Sequence, residues 1–311
     1  MADSLFICVC AVVLAVSLSS LLAQLLLMLC VRKCDQWPKS SGLRLIVSLS
    51  VSDCLACVGI AAGAFLSLFD WHHRLAGTAA SLTITFSWFS FCLHLVVMAV
   101  ERFCAVFLPQ RFKTTFTHRT TFALIVVCWL VPCALSLPLL LNFCPIYYDF
   151  SLVTHTFDLD HYFLSYTTSV GIVLSSLSVG LPTLLYSAMA ARLSRLSALQ
   201  QSSLDSSLCL QFFLIMIVHG VGIFGFQVLP RLFQESDPRW NYLITLITPI
   251  DFGINPAVYF FFNKPIKHGF CKLINHRPKE QPARDLSLPL VPATDGRSCS
   301  TSMPPSQETK L

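Results

Sequence analysis

The sequence predicts an all-α membrane protein: a seven-transmembrane helix bundle with a short amphipathic helix on the cytoplasmic side. Three observations predict it. Of 311 residues, 55% are hydrophobic and only 12% are charged, against about 25% charged in a soluble domain. The apolar residues fall in seven long blocks, about 5–31, 43–69, 76–102, 121–142, 163–191, 207–232 and 240–262. Each block reaches the roughly 20 residues that a membrane helix needs. The basic residues then cluster on alternate sides of the blocks, so the net charge of +5 reflects topology and not nucleic-acid binding.

Taken in order, the first block lacks a basic leader and its apolar run is too long for a cleaved signal peptide. It is expected to stay as a span, with only a few residues before it. The loop after it holds Arg32, Lys33, Lys39 and Arg44. The second block carries Asp53, a mid-membrane carboxylate that costs about 3 kcal/mol or more unless paired or protonated. Most of the 14 cysteines (Cys54, Cys57, Cys92, Cys128, Cys133 and Cys209 among them) lie inside spans, where a free thiol acts as a small hydrophobe. Cys54 and Cys57 have no second pair at zinc spacing, so no metal centre is expected.

The third block stops at Glu101-Arg102-Phe103, followed by Pro109 and Phe112. An arginine at the lipid–water boundary snorkels or finds a partner, and taken alone it reads as an anchor. Arg111, Lys113 and Arg119 follow it, and Trp129 lies in the fourth block. The longest external loop, about 143–162, is acidic (Asp149, Asp158, Asp160). These acids read as a solvated face or as an attractor for a basic peptide. The chain has no Asn-x-Ser/Thr sequon. Arg192 and Arg195 follow the fifth block.

The sixth block holds His219 among Gly220, Gly222 and Gly225, whose flexibility can replace a proline bend. His219 reads either as a polar switch or as a hydrogen-bonded structural residue. The seventh holds Asp251 and, one turn on and on the same face, Asn255, followed by Pro256 and Tyr259. Beyond it, Ile266, Phe270, Leu273 and Ile274 share one face of an amphipathic helix over 264–274. Cys271 on it is a candidate for palmitoylation or a plain thiol. Residues 1–275 form one domain, and 276–311 are a Pro-, Ser- and Thr-rich tail expected to be disordered. The basic loops put the N-terminus outside and the C-terminus in the cytoplasm.

With these features in order along the chain, the sequence resembles the rhodopsin-like (class A) G protein-coupled receptors from about residue 40 to 275. Glu101-Arg102-Phe103 matches the end of that family's third helix. Leu49-Ser50-Val51-Ser52-Asp53 matches its second, Trp129 its fourth, and Asn255-Pro256-Ala257-Val258-Tyr259 its seventh. Pro109 and Phe112 match its second intracellular loop. The resemblance implies that Arg102 leaves Glu101 on activation and reaches a heterotrimeric G protein. It implies that Tyr259 swings in to support Arg102, and that Phe112 plugs into the G protein. It also places Asp53, Asp251 and Asn255 in a polar core, where two carboxylates share a proton or a cation. A sodium ion there and an ion-free proton-sharing contact both stay open; no other cofactor is expected.

The sequence also departs from that family. The sixth block lacks the tryptophan and proline of the family pattern. The region 70–77 lacks the cysteine of the usual external disulfide, leaving Cys144, for which Cys8 or Cys10 is a conceivable partner. The missing disulfide, Glu-Arg-Phe and the Tyr259-Phe260-Phe261 run faintly resemble the Mas-related receptors.

Ile84 stands where amine receptors carry an aspartate, which argues against an amine ligand. Thr83, Thr85, Ser87 and Trp88, with Tyr242, Thr245 and Thr248, suit a mostly apolar pocket with hydroxyls for a small or lipidic ligand. His219 lies near the same depth. The expected function is a plasma-membrane receptor passing an extracellular ligand's signal to G proteins, and no enzyme. Arrestin and receptor kinases are expected partners if Ser298, Ser300, Thr301, Ser302, Ser306 and Thr309 are phosphorylated. The alternative is an atypical or decoy seven-helix receptor that couples weakly or not at all. A transporter is disfavoured by the lack of an internal repeat, and membrane enzymology by the lack of a nucleophile–base pair.

Overall fold

The computed structural model describes residues 4–37, 39–71, 73–141, 146–150, 153–157, 164–195, 203–227 and 240–274. Its helices are α1 (Ser4–Arg32), α2 (Ser41–Leu68), α3 (Arg74–Phe107), α4 (Pro109–Thr115), α5 (His118–Leu140), α6 (Leu164–Arg195), α7 (Ser203–Gln227), α8 (Trp240–Phe262) and α9 (Lys264–Leu273). A two-stranded hairpin, β1 (Ile146–Asp149) and β2 (Thr154–Phe157), lies between α5 and α6. The unit Met1–His276 is compact by itself. The expected tail 276–311 lies outside the described residues.

Four helices start where the sequence supplies a side-chain cap. Ser40, His73, Thr117 and Asn263 accept a hydrogen bond from the backbone N–H three residues on, opening α2, α3, α5 and α9. Pro109 opens α4, where a missing N–H is harmless. The same proline ends α3: Leu108, just before it, is disfavoured in helical geometry. So α3 does not stop at residue 102, where the apolar pattern ends, but runs on to Phe107. Arg102 therefore sits inside a helix that outlasts its apolar stretch.

In the bundle, α1 packs on α2 and α8, α3 on α2, α5 and α6, and α7 on α6 and α8. Small residues make the close crossings: Ala56, Cys57, Ala64, Ala80 and Ser87 are buried, as membrane helix contacts favour. The polarity is inverted relative to a soluble protein. Leu18, Leu22, Leu25, Phe122, Leu130 and Leu137 face outward, while Gln24, Asp53, His94, His219, Asp251 and Asn255 are buried. That is the arrangement of a bundle whose solvent is lipid. Five described helices (α1, α2, α3, α5 and Ser169–Arg192 of α6) are long and apolar enough to cross a membrane, and Leu210–Phe224 of α7 is a shorter apolar stretch.

The hairpin is an element that the acidic character of its loop did not announce. Its strands pair antiparallel, Ile146 with Phe157 and Asp149 with Thr154. Tyr148 and Val153 are buried, although Val153 adopts a left-handed φ of 55° that branched residues rarely tolerate. Two glycines make the seat. A Cβ on Gly63 of α2 would overlap the Tyr148 ring, and one on Gly77 of α3 would press on Phe150 and Tyr148. Burial raises the Tyr148 phenol above its ordinary range. Cys8 and Cys10 carry free thiols, and Cys144 lies outside the described residues. At the other end, α9 is clipped to the α1–α2 loop: Lys272 Nζ donates to Asp35 at 2.7 Å and Cys34 Sγ to the Pro265 carbonyl at 3.0 Å.

Candidate functional site

Four polar layers run through the bundle, each built from residues that the membrane penalises unless they are paired. The first lies at the Arg102 end. Glu101 Oε2 meets Arg102 Nε at 3.0 Å, with the glutamate side chain 2% and the arginine 21% exposed. The other carboxylate oxygen accepts from Ser41 Oγ at 2.6 Å, so the first turn of α2 anchors the acid. Gly42, beside Ser41, leaves room for the arginine: a Cβ there would overlap the guanidinium. Around this pair, Phe103 stacks on Phe107 with ring centroids 4.3 Å apart. Arg192 of α6 lies 4.7 Å over the Phe107 ring. Pro109 opens α4, on which Phe112 stacks with Phe116.

Deeper in, Tyr259 is fully buried, and its hydroxyl has no hydrogen-bond partner among the described residues. Its ring meets Phe212 edge-on at 6.4 Å, and Phe212 stacks on Tyr186. Pro256 lies inside α8, which continues through it.

The next layer centres on Asp53. Its Oδ2 accepts from Gln24 Nε2 at 2.8 Å and from Asn255 Nδ2 at 2.7 Å, while Gln24 also donates to the Phe252 carbonyl at 2.9 Å. Three helices, α1, α2 and α8, thus meet on one carboxylate. Asp53 Oδ1, Asn255 Oδ1 and Gln24 Oε1 are buried without a partner among the described residues. A set of hard oxygens of this kind suits a small cation or a bound water.

Asp251 takes a different partner. Its Oδ2 lies 3.0 Å from His219 Nδ1, and His219 Nε2 lies 3.2 Å from Ser178 Oγ. The two aspartates expected to share a proton or a cation each have a partner set of their own. A fourth network joins α2, α3 and α5: Trp129 Nε1 donates to Ser48 Oγ at 2.9 Å, and Ser48 Oγ also bonds His94 Nε2 at 2.8 Å.

The expected ligand residues serve separate helix contacts. Ile84 packs on Gly59 of α2, and Trp88 faces Gly171 of α6. Ser87 is buried, and its carbonyl accepts from Ser52 Oγ at 3.0 Å. Tyr242 lies against Phe6 of α1 at 6.4 Å, and Thr245 is buried on α8. Cys271 is half-buried on α9. Sequence reasoning missed Ser41, Gly42, Ser178 and the Ser48–His94 pair. Only His94 stood out as a signal, being a polar side chain in an apolar block.

Three comparisons bear on this arrangement. The family profile described as serpentine type 7TM GPCR chemoreceptor Srx matches residues 14–250. Olfactory receptor 4K17 of Homo sapiens is 28% identical over 195 residues, which is 58% of this chain and 60% of that receptor. The chain thus spans under two thirds of that relative's length. Olfactory receptor 3A1 of Gorilla gorilla gorilla is 24% identical over 253 residues, 74% of this chain and 78% of the other. Among solved structures, squid rhodopsin superposes with a TM-score of 0.69 at 13% identity, over 88% of this chain and 86% of its own. That last likeness speaks for the fold alone.

Proposed function

Since the chain belongs to the serpentine seven-transmembrane G protein-coupled chemoreceptor family, we propose that it is a rhodopsin-like receptor. In this reading it passes an extracellular chemical signal to a heterotrimeric G protein. The carrying observation is the Ser41–Glu101–Arg102 group at one end of α3. There an arginine is held by a single buried acid, over a glycine that leaves it space. The pair lies at ion-pair distance without a hydrogen bond between these two atoms, and it is one local contact that a conformational change can exchange for another. Arg102 would then face the G protein, supported by Tyr259, whose hydroxyl has no hydrogen-bond partner among the described residues. Phe112 and Pro109, on the adjoining α4, would form the rest of the docking face.

The reading carries finer proposals. Seven spans, an external N-terminus and a cytoplasmic C-terminus at the plasma membrane follow from the distribution of arginine and lysine. α9 would then lie on the inner leaflet, with Cys271 its lipidation candidate. Residues 1–275 would be the receptor domain and 276–311 a tail open to receptor kinases and arrestin. The apolar surroundings of Ile84 and Trp88, with the hydroxyls nearby, suit a small or lipidic ligand. Asp53, Asn255 and Gln24 would offer a sodium ion their oxygens that have no partner among the described residues. The likeness to Mas-related receptors remains a subfamily proposal, and the weak-coupling alternative gains nothing from the comparisons.

The test is G protein dissociation in cells expressing the intact chain or Arg102→Ala at equal surface level. Basal activation that the variant loses supports the reading. Equal activation by both removes Arg102 from the mechanism.

A further inference from the structure

His219 stands where the family pattern has a bulky aromatic, and its surroundings define what it does. It lies at zero exposure on α7, with the Phe91 ring edge-on at 4.8 Å. Phe91 in turn meets Phe252 of α8 at 5.5 Å. Both ring nitrogens of His219 are engaged, Nδ1 by Asp251 of α8 and Nε2 by Ser178 of α6. Ser178 Oγ has one hydrogen and two acceptors within reach, the Ser175 carbonyl at 3.1 Å and His219 Nε2 at 3.2 Å, and the imidazole tautomer sets which of them it serves. A proton lies between His219 Nδ1 and Asp251 Oδ2, 3.0 Å apart, and holds the two groups together whichever atom carries it.

The fit is local to α7. Gly222, one turn beyond His219, brings the helix so close to α8 that a Cβ there would lie 3.1 Å from Asp251 Oδ2. One buried hydrogen-bonded chain thus ties α6, α7 and α8 at a single depth. Opening it would leave an imidazole and a carboxyl unpaired among phenylalanines, so intermediate positions of α7 are disfavoured and the contact is either made or broken.

We propose that the Ser178–His219–Asp251 chain is the latch that holds α7 against α6 and α8 in the resting molecule. Its release frees the 203–218 half of α7 to move. The link from that motion to signalling rests on the receptor reading above; the latch itself does not.

The experiment uses the full chain, in cells and in detergent, with four variants. Asp251→Asn keeps the shape and removes the acid. His219→Phe removes the pair. Ser178→Ala removes only the outer link. His219→Asp combined with Asp251→His restores the pair with its members exchanged. Hydrogen–deuterium exchange over 203–218 and basal G protein activation are read on each. Exchange at least about tenfold faster in Asp251→Asn and His219→Phe, a smaller rise in Ser178→Ala, and recovery in the exchanged pair support the latch. Ser178→Ala is the variant most certain to fold. Parental exchange in it and in the surface-displayed single variants overturns the latch. Exchange that rises while no variant activates any G protein class leaves the latch standing and counts against the receptor reading.

Discussion

Tyr148→Ala removes the side chain that seats the β1–β2 hairpin on α2 and α3. Tyr148 is 4% exposed, and burying an aromatic side chain of this size contributes about 2–3 kcal/mol. The T-shaped contact with Phe150, centroids 5.3 Å apart, adds about 1 kcal/mol. Against these, the truncated loop keeps its backbone pairing, so a net loss of about 3 kcal/mol is expected, close to a hundredfold in the opening equilibrium. The assay is hydrogen–deuterium exchange over 146–157 in the solubilised protein, where amide exchange should quicken by about that factor. Gly63→Ala should act in the same direction from the opposite side, because its new methyl occupies space the Tyr148 ring holds. Loop exchange within about threefold of the parent's in both variants would refute the reasoning, since local opening would then not depend on this seat.

Gly42→Val should drive the Arg102 guanidinium off α2 and change basal G protein activation, while surface level stays near the parent's; an unchanged basal signal would show that the glycine seat is immaterial. Asp53→Leu leaves the Gln24 and Asn255 amides without their shared acceptor. A loss of about 2–4 kcal/mol should appear as a thermal midpoint lower by several degrees in detergent. Asp35→Asn should leave that midpoint unchanged at neutral pH. The Lys272 ammonium does hold the Asp35 carboxyl below its ordinary value of 3.8, so any contribution is present above that pH and lost as pH falls below it. The pair is nevertheless exposed, and exposed pairs contribute little.

How far the sequence reached can be followed residue by residue. The apolar blocks marked the helices because lipid enforces a long run of one character, and the caps at Ser40, Thr117 and Asn263 are visible as residue types. Apolar patterning misplaces the end of α3 because it reports where lipid stops, whereas the helix runs to Phe107 and is ended by Leu108, the residue before Pro109. The hairpin stayed hidden because its strands are four residues each and are held by a slot between two other helices. Gly63 and Gly77 make that slot only once α2 and α3 are side by side. The face of α8 was legible, since Asp251 and Asn255 are one turn apart. Which neighbour each would find was not. A rotation of a few tens of degrees separates a carboxylate aimed at α2 from one aimed at α7, and spacing along one helix does not carry that angle.

The central claim is that Arg102 passes the signal to a G protein, and dissociation of the G protein in cells tests it most directly. The intact chain and Arg102→Ala would be compared at matched surface display across the G protein classes. The account predicts basal activation by the intact chain that falls to the level of empty cells in the variant. Activation that survives Arg102→Ala, or no activation of any class by a well-displayed intact chain, would contradict it.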